Sequence, residues 1–135
     1  MNLKTDTKEK FAVIRLLEGV LTENMAEELE QMLLARLDSE PPHLVLNLAE
    51  VERLDDVSAN TLTNCQQKFY EAGCSFVICC LNPNAEQVFE KLELLELLNV
   101  TPTESEAGDI VQMEEIEREI LGGEDDESDD VTKNG

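Results

Sequence analysis

Two hydrophobic periods alternate along this chain. Phe11-Ala12-Val13-Ile14-Arg15-Leu16-Leu17 is an apolar run of strand length, and the more polar Leu3–Thr7 predicts a weaker strand before it. Gly19 allows a bend. Met25, Leu29, Met32, Leu33 and Leu37 then recur at helical spacing, and Asn24 followed by Glu27 has the form of a capping box. That helix is expected to end before Pro41-Pro42, because a residue preceding proline avoids the α region. Leu44-Val45-Leu46-Asn47-Leu48 is nearly continuous in apolar character, as expected of a strand covered on both faces. After Asp55-Asp56, a second helix turns Leu62, Cys65, Phe69 and Ala72 inward and stops at Gly73. Ser75–Leu81 reads as another buried strand, closed by Asn82-Pro83-Asn84. Ala85, Val88, Phe89 and Leu92 mark a short helix, and Leu97–Thr101 a last strand. Ile110, Met113, Ile116 and Ile120 predict a terminal helix with that stripe on the core.

Strands alternating with helices imply parallel pairing through right-handed crossovers, while the first two strands, closely joined, are expected to pair antiparallel. The fold class is therefore α/β: one domain with a small mixed β-sheet of four to five strands and four to five α-helices. A length of 135 residues agrees with a single domain. Paired glycines after Leu121 read as a helix stop. Gly122–Asp130 contains no large apolar side chain to offset chain entropy. The expected division is a folded domain over residues 1–121 and an acidic disordered tail over 122–135.

Charge narrows the partners. The formal net charge is −21, and residues 104–135 hold 13 of the 31 acids against two bases. Phosphate backbones and anionic lipid would repel such a chain, so neither nucleic acid nor membrane surface is an expected partner. No apolar run approaches the roughly 18 residues of a spanning helix, and Met1–Asp6 carries no apolar signal segment. The expectation is a cytoplasmic protein without direct membrane insertion. Cys65, Cys74, Cys79 and Cys80 form no C-x-x-C pair, and His43 is the only histidine, so no metal or other cofactor is expected. The cysteines read as buried, inert thiols, and His43 opens an apolar strand, a poor place for a catalytic base.

One loop stands out. Leu54-Asp55-Asp56-Val57-Ser58 joins a buried strand to a helix and sets two carboxylates at a helix N-terminus, where free N–H groups and the helix dipole favour anions. N-capping alone would account for an aspartate here. Loops at the carboxyl ends of α/β strands are also where ligands and partners usually sit. As an acid–base pair the two are poorly supported: adjacent turn residues point apart, and Arg53 is the only cation close by.

The order of segments resembles the STAS domain, the module of bacterial anti-sigma factor antagonists and of sulphate-transporter tails. Three stretches carry the likeness: Gly19-Val20-Leu21 with Ala26-Glu27-Glu28-Leu29; Leu46-Asn47-Leu48 with Leu54-Asp55; and Val77-Ile78-Cys79-Cys80-Leu81-Asn82-Pro83 with Val88-Phe89. The resemblance runs from about Glu18 to Val100. It implies a non-enzymatic signalling module that regulates transcription by partner switching, its partner an anti-sigma factor or a serine-kinase-type ATPase protein. The family's phosphorylation site reads Asp-Ser-Ser-Gly or a close variant, against Asp55-Asp56-Val57-Ser58 here. Asp55 matches the family aspartate, Asp56 stands at the phosphorylated hydroxyl, and Ser58 stands at the glycine. The implied partner-binding loop is Asp55, Asp56, Val57 and Ser58, with a carboxylate fixed at the phosphosite position. Two further departures are Thr22, at a family aspartate, and Glu93, at a family glycine. The alternative is a structural STAS subunit of an ABC-type lipid-transport complex, which needs no phosphorylatable serine.

Overall fold

A computed structural model of the chain describes residues 1–127. Strands β1 (Leu3–Thr7) and β2 (Ala12–Leu16) form an antiparallel hairpin. β4 (Leu44–Asn47), β6 (Phe76–Cys79) and β7 (Val100–Thr101) extend it in parallel, giving one five-stranded sheet in the order β1-β2-β4-β6-β7. Four α-helices complete the fold: α1 (Glu23–Leu34), α2 (Asp56–Glu71), α3 (Pro83–Lys91) and α4 (Glu104–Glu127). The expected α/β fold with a small mixed sheet is therefore the observed one.

The pleat divides the strand side chains between two layers. Ala12, Ile14, Leu16, Leu44, Leu46, Phe76 and Ile78 join the core that includes Leu29 and Leu33 of α1, Leu62 and Phe69 of α2, and Phe89 of α3. Phe69 meets Phe76 edge to face, with ring centroids 5.0 Å apart. The other face is smaller. Val13, Val45, Val77 and Cys79 pack with Phe11 against Ala107 and Val111 of α4. Both faces of β4 and β6 are covered, which is why these segments read as continuous apolar runs.

Helix ends show how local sequence sets the turns. Asn82 caps α3, its Oδ1 accepting from Ala85 N–H at 3.0 Å, and Pro83 follows in the first turn, where a missing N–H costs nothing. Asn82 Nδ2 also donates to the Val51 carbonyl, tying α3 to the loop after β4. α2 closes in a Schellman motif: Gly73 takes φ +77°, its N–H bonds Tyr70 O, and Cys74 N–H bonds Phe69 O. α3 ends the same way at Glu93, with φ +59° and the paired bonds Glu93 N–H to Glu90 O and Leu94 N–H to Phe89 O. A glutamate thus occupies the left-handed position that glycine fills in α2. Glu93→Gly is expected to raise stability by up to about 1 kcal/mol, read as a higher thermal midpoint.

Four points differ from the expectations. The capping box at Asn24 is not used: Thr22 is the N-cap residue of α1, and its side chain makes no capping bond. Two short strands, β3 (Val20–Leu21) and β5 (Arg53–Leu54), pair in parallel as a second small sheet, and the apolar pattern gave no sign of them. The stripe on α4 faces the wrong way. Met113, Ile116 and Ile120 are exposed, while Ala107 and Val111 are buried, with Ile110 at their edge. The helix also continues past Gly122-Gly123 to Glu127. The remainder of the expected acidic tail, 128–135, lies outside the described residues.

Polar contacts fix that rotation of α4. Asn47 Nδ2, at the carboxyl end of β4, donates to Glu104 Oε1 at 2.9 Å and holds the helix start. At the amino ends of the strands, Glu114 accepts from Ser75 Oγ at 2.6 Å, Tyr70 OH at 2.8 Å and Asn99 Nδ2 at 3.1 Å. Burial and the Glu114 carboxylate together push the Tyr70 phenol up to about 12. Beside this cluster, buried His43 accepts from Ser75 N–H at Nδ1 and meets Glu115 Oε1 through Nε2 at 2.6 Å. Gly108 lets the helix lie close, since a Cβ there would come 2.7 Å from the Phe11 ring.

Candidate functional site

The loop 55–58 leaves β5 at the carboxyl-end side of the sheet and enters α2 directly. Its four side chains divide sharply in role.

Asp55 is the N-cap of α2, with Oδ1 accepting from Ser58 N–H at 2.8 Å. Its Oδ2 accepts from Glu23 N–H at 3.1 Å, in the first turn of α1. One carboxylate therefore caps two helices, which explains why Thr22 contributes no capping bond of its own. Hydrogen bonding by Ser58, then by the Glu23 N–H, holds the Asp55 carboxyl below its ordinary value of 3.8.

Ser58 is fully buried, and its hydroxyl donates to Leu21 O at 3.2 Å, joining α2 to β3. Asp55, Asp56 and Val57 are all exposed, Val57 by 45%, but the Asp55 carboxylate is taken up by its two N–H partners, which leaves Asp56 and Val57 to face outward. Asp56 Oδ1 receives Lys91 Nζ at 3.0 Å from the end of α3, an exposed ion pair of the kind worth at most about 1 kcal/mol. Val20 of β3 and Arg53 of β5 are exposed on the adjoining small sheet. The sequence singled out the loop but not Lys91 or β3. Lys91 sits 35 residues away and meets Asp56 only because α2 and α3 are neighbours in space.

The two aspartates are not set as an acid–base pair. Asp55 is committed to two backbone N–H groups, and Asp56 points away from it toward Lys91. Among the described residues, no group of three or more histidine, cysteine or acidic side chains is gathered to hold a metal ion. A cleft of about 590 Å³ lies elsewhere, on the second half of α2, and three of its polar side chains, Gln66, Tyr70 and Asn99, are already bonded to one another or to backbone. His43 is held between Ser75 and Glu115 as a packing residue.

The cysteines separate into two classes. Cys65 and Cys79 are buried, and burial pushes the Cys65 thiol up to about 12 and also raises that of Cys79. Cys74 and Cys80 are half-buried, more accessible than their apolar setting suggested. A thiol reagent should therefore label the native protein at Cys74 and Cys80 first, with Cys65 and Cys79 modified only on unfolding. Peptide-level mass spectrometry reads this order, and rapid native modification of Cys65 would contradict it.

Comparison with known proteins places this architecture. Residues 2–107 match the STAS domain family. An anti-sigma factor antagonist from Mycobacterium paratuberculosis is similar in structure, with a TM-score of 0.71 at 22% identity over 82% of this chain and 93% of that one. The Bacillus cell fate determinant SpoIIAA in its phosphorylated form aligns with a TM-score of 0.59 at 18% identity, over 82% of this chain and 99% of that one. The fold also recurs in the murine Solute Carrier 26 family member A9 anion transporter, with a TM-score of 0.63 at 15% identity over 80% of this chain and 18% of the transporter.

Proposed function

This chain belongs to the STAS domain family, and on that premise we propose that it is a non-enzymatic regulatory interaction module of the anti-sigma factor antagonist type. Its partner is an anti-sigma factor or a serine-kinase-type ATPase protein, which docks on the exposed tip of the loop and the first turn of α2. One observation carries the reading. Asp56, the residue that the family resemblance sets at the phosphorylated hydroxyl, has an exposed carboxylate, while the neighbouring Ser58 hydroxyl is buried and bonded to Leu21 O.

The mechanism follows from charge. Phosphorylation at a helix start adds about −1.5 to −2 of charge, and a carboxylate adds a smaller, permanent one. Asp56 holds the loop in one electrostatic state that no phosphatase can reset. The partner meets a fixed anion flanked by Val57, whose apolar side chain is free to enter a pocket. Ser58 takes no phosphate in this scheme, because a kinase would first have to open the α2–β3 contact.

A second reading is favoured by the same buried hydroxyl: a structural STAS subunit that braces an ATPase in a transport complex, with no switch at all. Titration separates the two. The chain is titrated against the serine-kinase-type anti-sigma proteins and the transport ATPases encoded in its own genome. For a docking loop, Asp56→Lys and Val57→Asp each weaken binding at least tenfold with the fold intact, and the Asp56 effect shrinks at high salt as Debye screening requires. Affinity for a transport ATPase that ignores both substitutions supports the structural subunit instead.

A further inference from the structure

The outward face of α4 carries Met113, Ile116 and Ile120, exposed by 57%, 55% and 55%. Their spacing of three then four residues is that of one seam of a two-stranded coiled coil. The face is not a misoriented core stripe, because Ala107, Val111 and the Glu114 and His43 contacts lock the opposite side of the helix onto the sheet. Glu117 and Glu119 flank the seam on either side, Asp109 lies at its upstream end, and Arg118, the only cation of α4, is turned inward onto Ser75 Oγ at 2.9 Å.

We propose that this face docks an amphipathic helix of a partner protein whose apolar seam is bordered by lysine or arginine. Charge selects among the candidate occupants. A second copy of the chain would set Glu117 and Glu119 against the same residues of its twin, with no cation on either seam to offset them. The residues after Glu127, Ser128–Gly135, contain Val131 as their one large apolar side chain and cannot cover three. Anionic lipid meets the same acidic border. A basic helix gains both the seam and the border, and the net charge of −21 speeds its approach.

This surface is separate from the Asp56 tip. α4 starts beside the carboxyl ends of the strands, and the seam lies toward their amino ends, where Glu114 and Glu115 reach Ser75 and His43. A partner can therefore occupy α4 while the loop is engaged, and either surface can fail alone.

The test uses the full chain and two synthetic helical peptides of roughly three heptads, each with leucine along the seam and either lysine or glutamate along its borders. Fluorescence anisotropy reads binding. The lysine peptide is expected to bind and the glutamate peptide not to. Ile116→Ser with Ile120→Ser should weaken the lysine peptide at least tenfold, with the thermal midpoint unchanged because both side chains are exposed. Glu117→Lys with Glu119→Lys should weaken it and steepen its loss with salt less than wild type. Three results overturn the proposal: the lysine peptide binds the serine variant as well as wild type, which is attraction to bulk charge; the chain self-associates through the seam in sedimentation; or it floats with anionic vesicles and loses that on Ile116→Ser.

Discussion

Asp55→Ala is expected to destabilise the domain by about 2 kcal/mol and to lower the thermal midpoint by roughly 6–12 °C. The size comes from capping two helices with one carboxylate: loss of one ordinary N-cap costs about 1 kcal/mol, and here both Ser58 N–H and Glu23 N–H lose their acceptor. Asp55→Asn keeps one oxygen and restores part of the capping, so it should fall between alanine and wild type at neutral pH. Acid isolates the part that the charge contributes. The folded-state pKa of Asp55 lies below its ordinary 3.8, so its contribution is fully present above that value. It is lost as the pH falls through the depressed folded value. Thermal melts from pH 7 down should therefore show the gap between wild type and Asp55→Asn closing below about pH 4. A constant gap would mean that the charge on Asp55 does not contribute.

Glu114→Ala is expected to cost about 3 kcal/mol. Glu114 accepts from Ser75, Tyr70 and Asn99, and bonds to a charged acceptor are worth roughly 1.5–3 kcal/mol each before the freed donors find other partners. Asn99 and Arg118 remain near Tyr70 and Ser75, so the loss stays well below the sum. Glu114→Gln should recover part of the stability. The readout specific to this contact is the Tyr70 phenol: without the carboxylate beside it, its titration, followed by ultraviolet absorbance, should move down from about 12. A Tyr70 titration unmoved by Glu114→Ala would show that the phenol does not sit on this carboxylate.

These two sites mark where the sequence was legible and where it was not. Leu44–Leu48 and Ser75–Leu81 announced buried parallel strands because a strand covered on both faces needs an unbroken apolar run. Gly73 announced the end of α2, and Asn82-Pro83 the end of the strand before α3, because those residues act on backbone within their own turn. Asp55 was legible as a cap, but not as the cap of α1. The bond to Glu23 spans 32 residues and depends on β3 pairing with β5, and two-residue strands have no period to read. The same limit hid Lys91 as the partner of Asp56.

α4 misled for a different reason. Its large apolar residues form one stripe and its small ones, Ala107 and Val111, another, and the rule that bulk goes inward chose the wrong stripe. The sheet beneath offers a shallow layer of valine and cysteine that a small-residue face fits closely, with Gly108 set on Phe11. Glu114, Glu115 and Arg118 then hold that face through polar contacts that hydrophobic periodicity does not register. Glu93, which the family resemblance sets at a glycine, takes a left-handed backbone that local pattern did not signal.

The claim that Asp56 is a fixed charge at a partner surface is tested most directly by intact-mass spectrometry. Wild type and Asp56→Ser are each incubated with the serine-kinase partner identified by titration and with ATP. The account predicts that wild type gains no phosphate and that its affinity is the same with and without ATP. Asp56→Ser should gain one phosphate, at the introduced serine, and change affinity as it does so. Phosphate on wild-type Ser58, or an Asp56→Ser chain that stays unmodified and binds as wild type does, would contradict it.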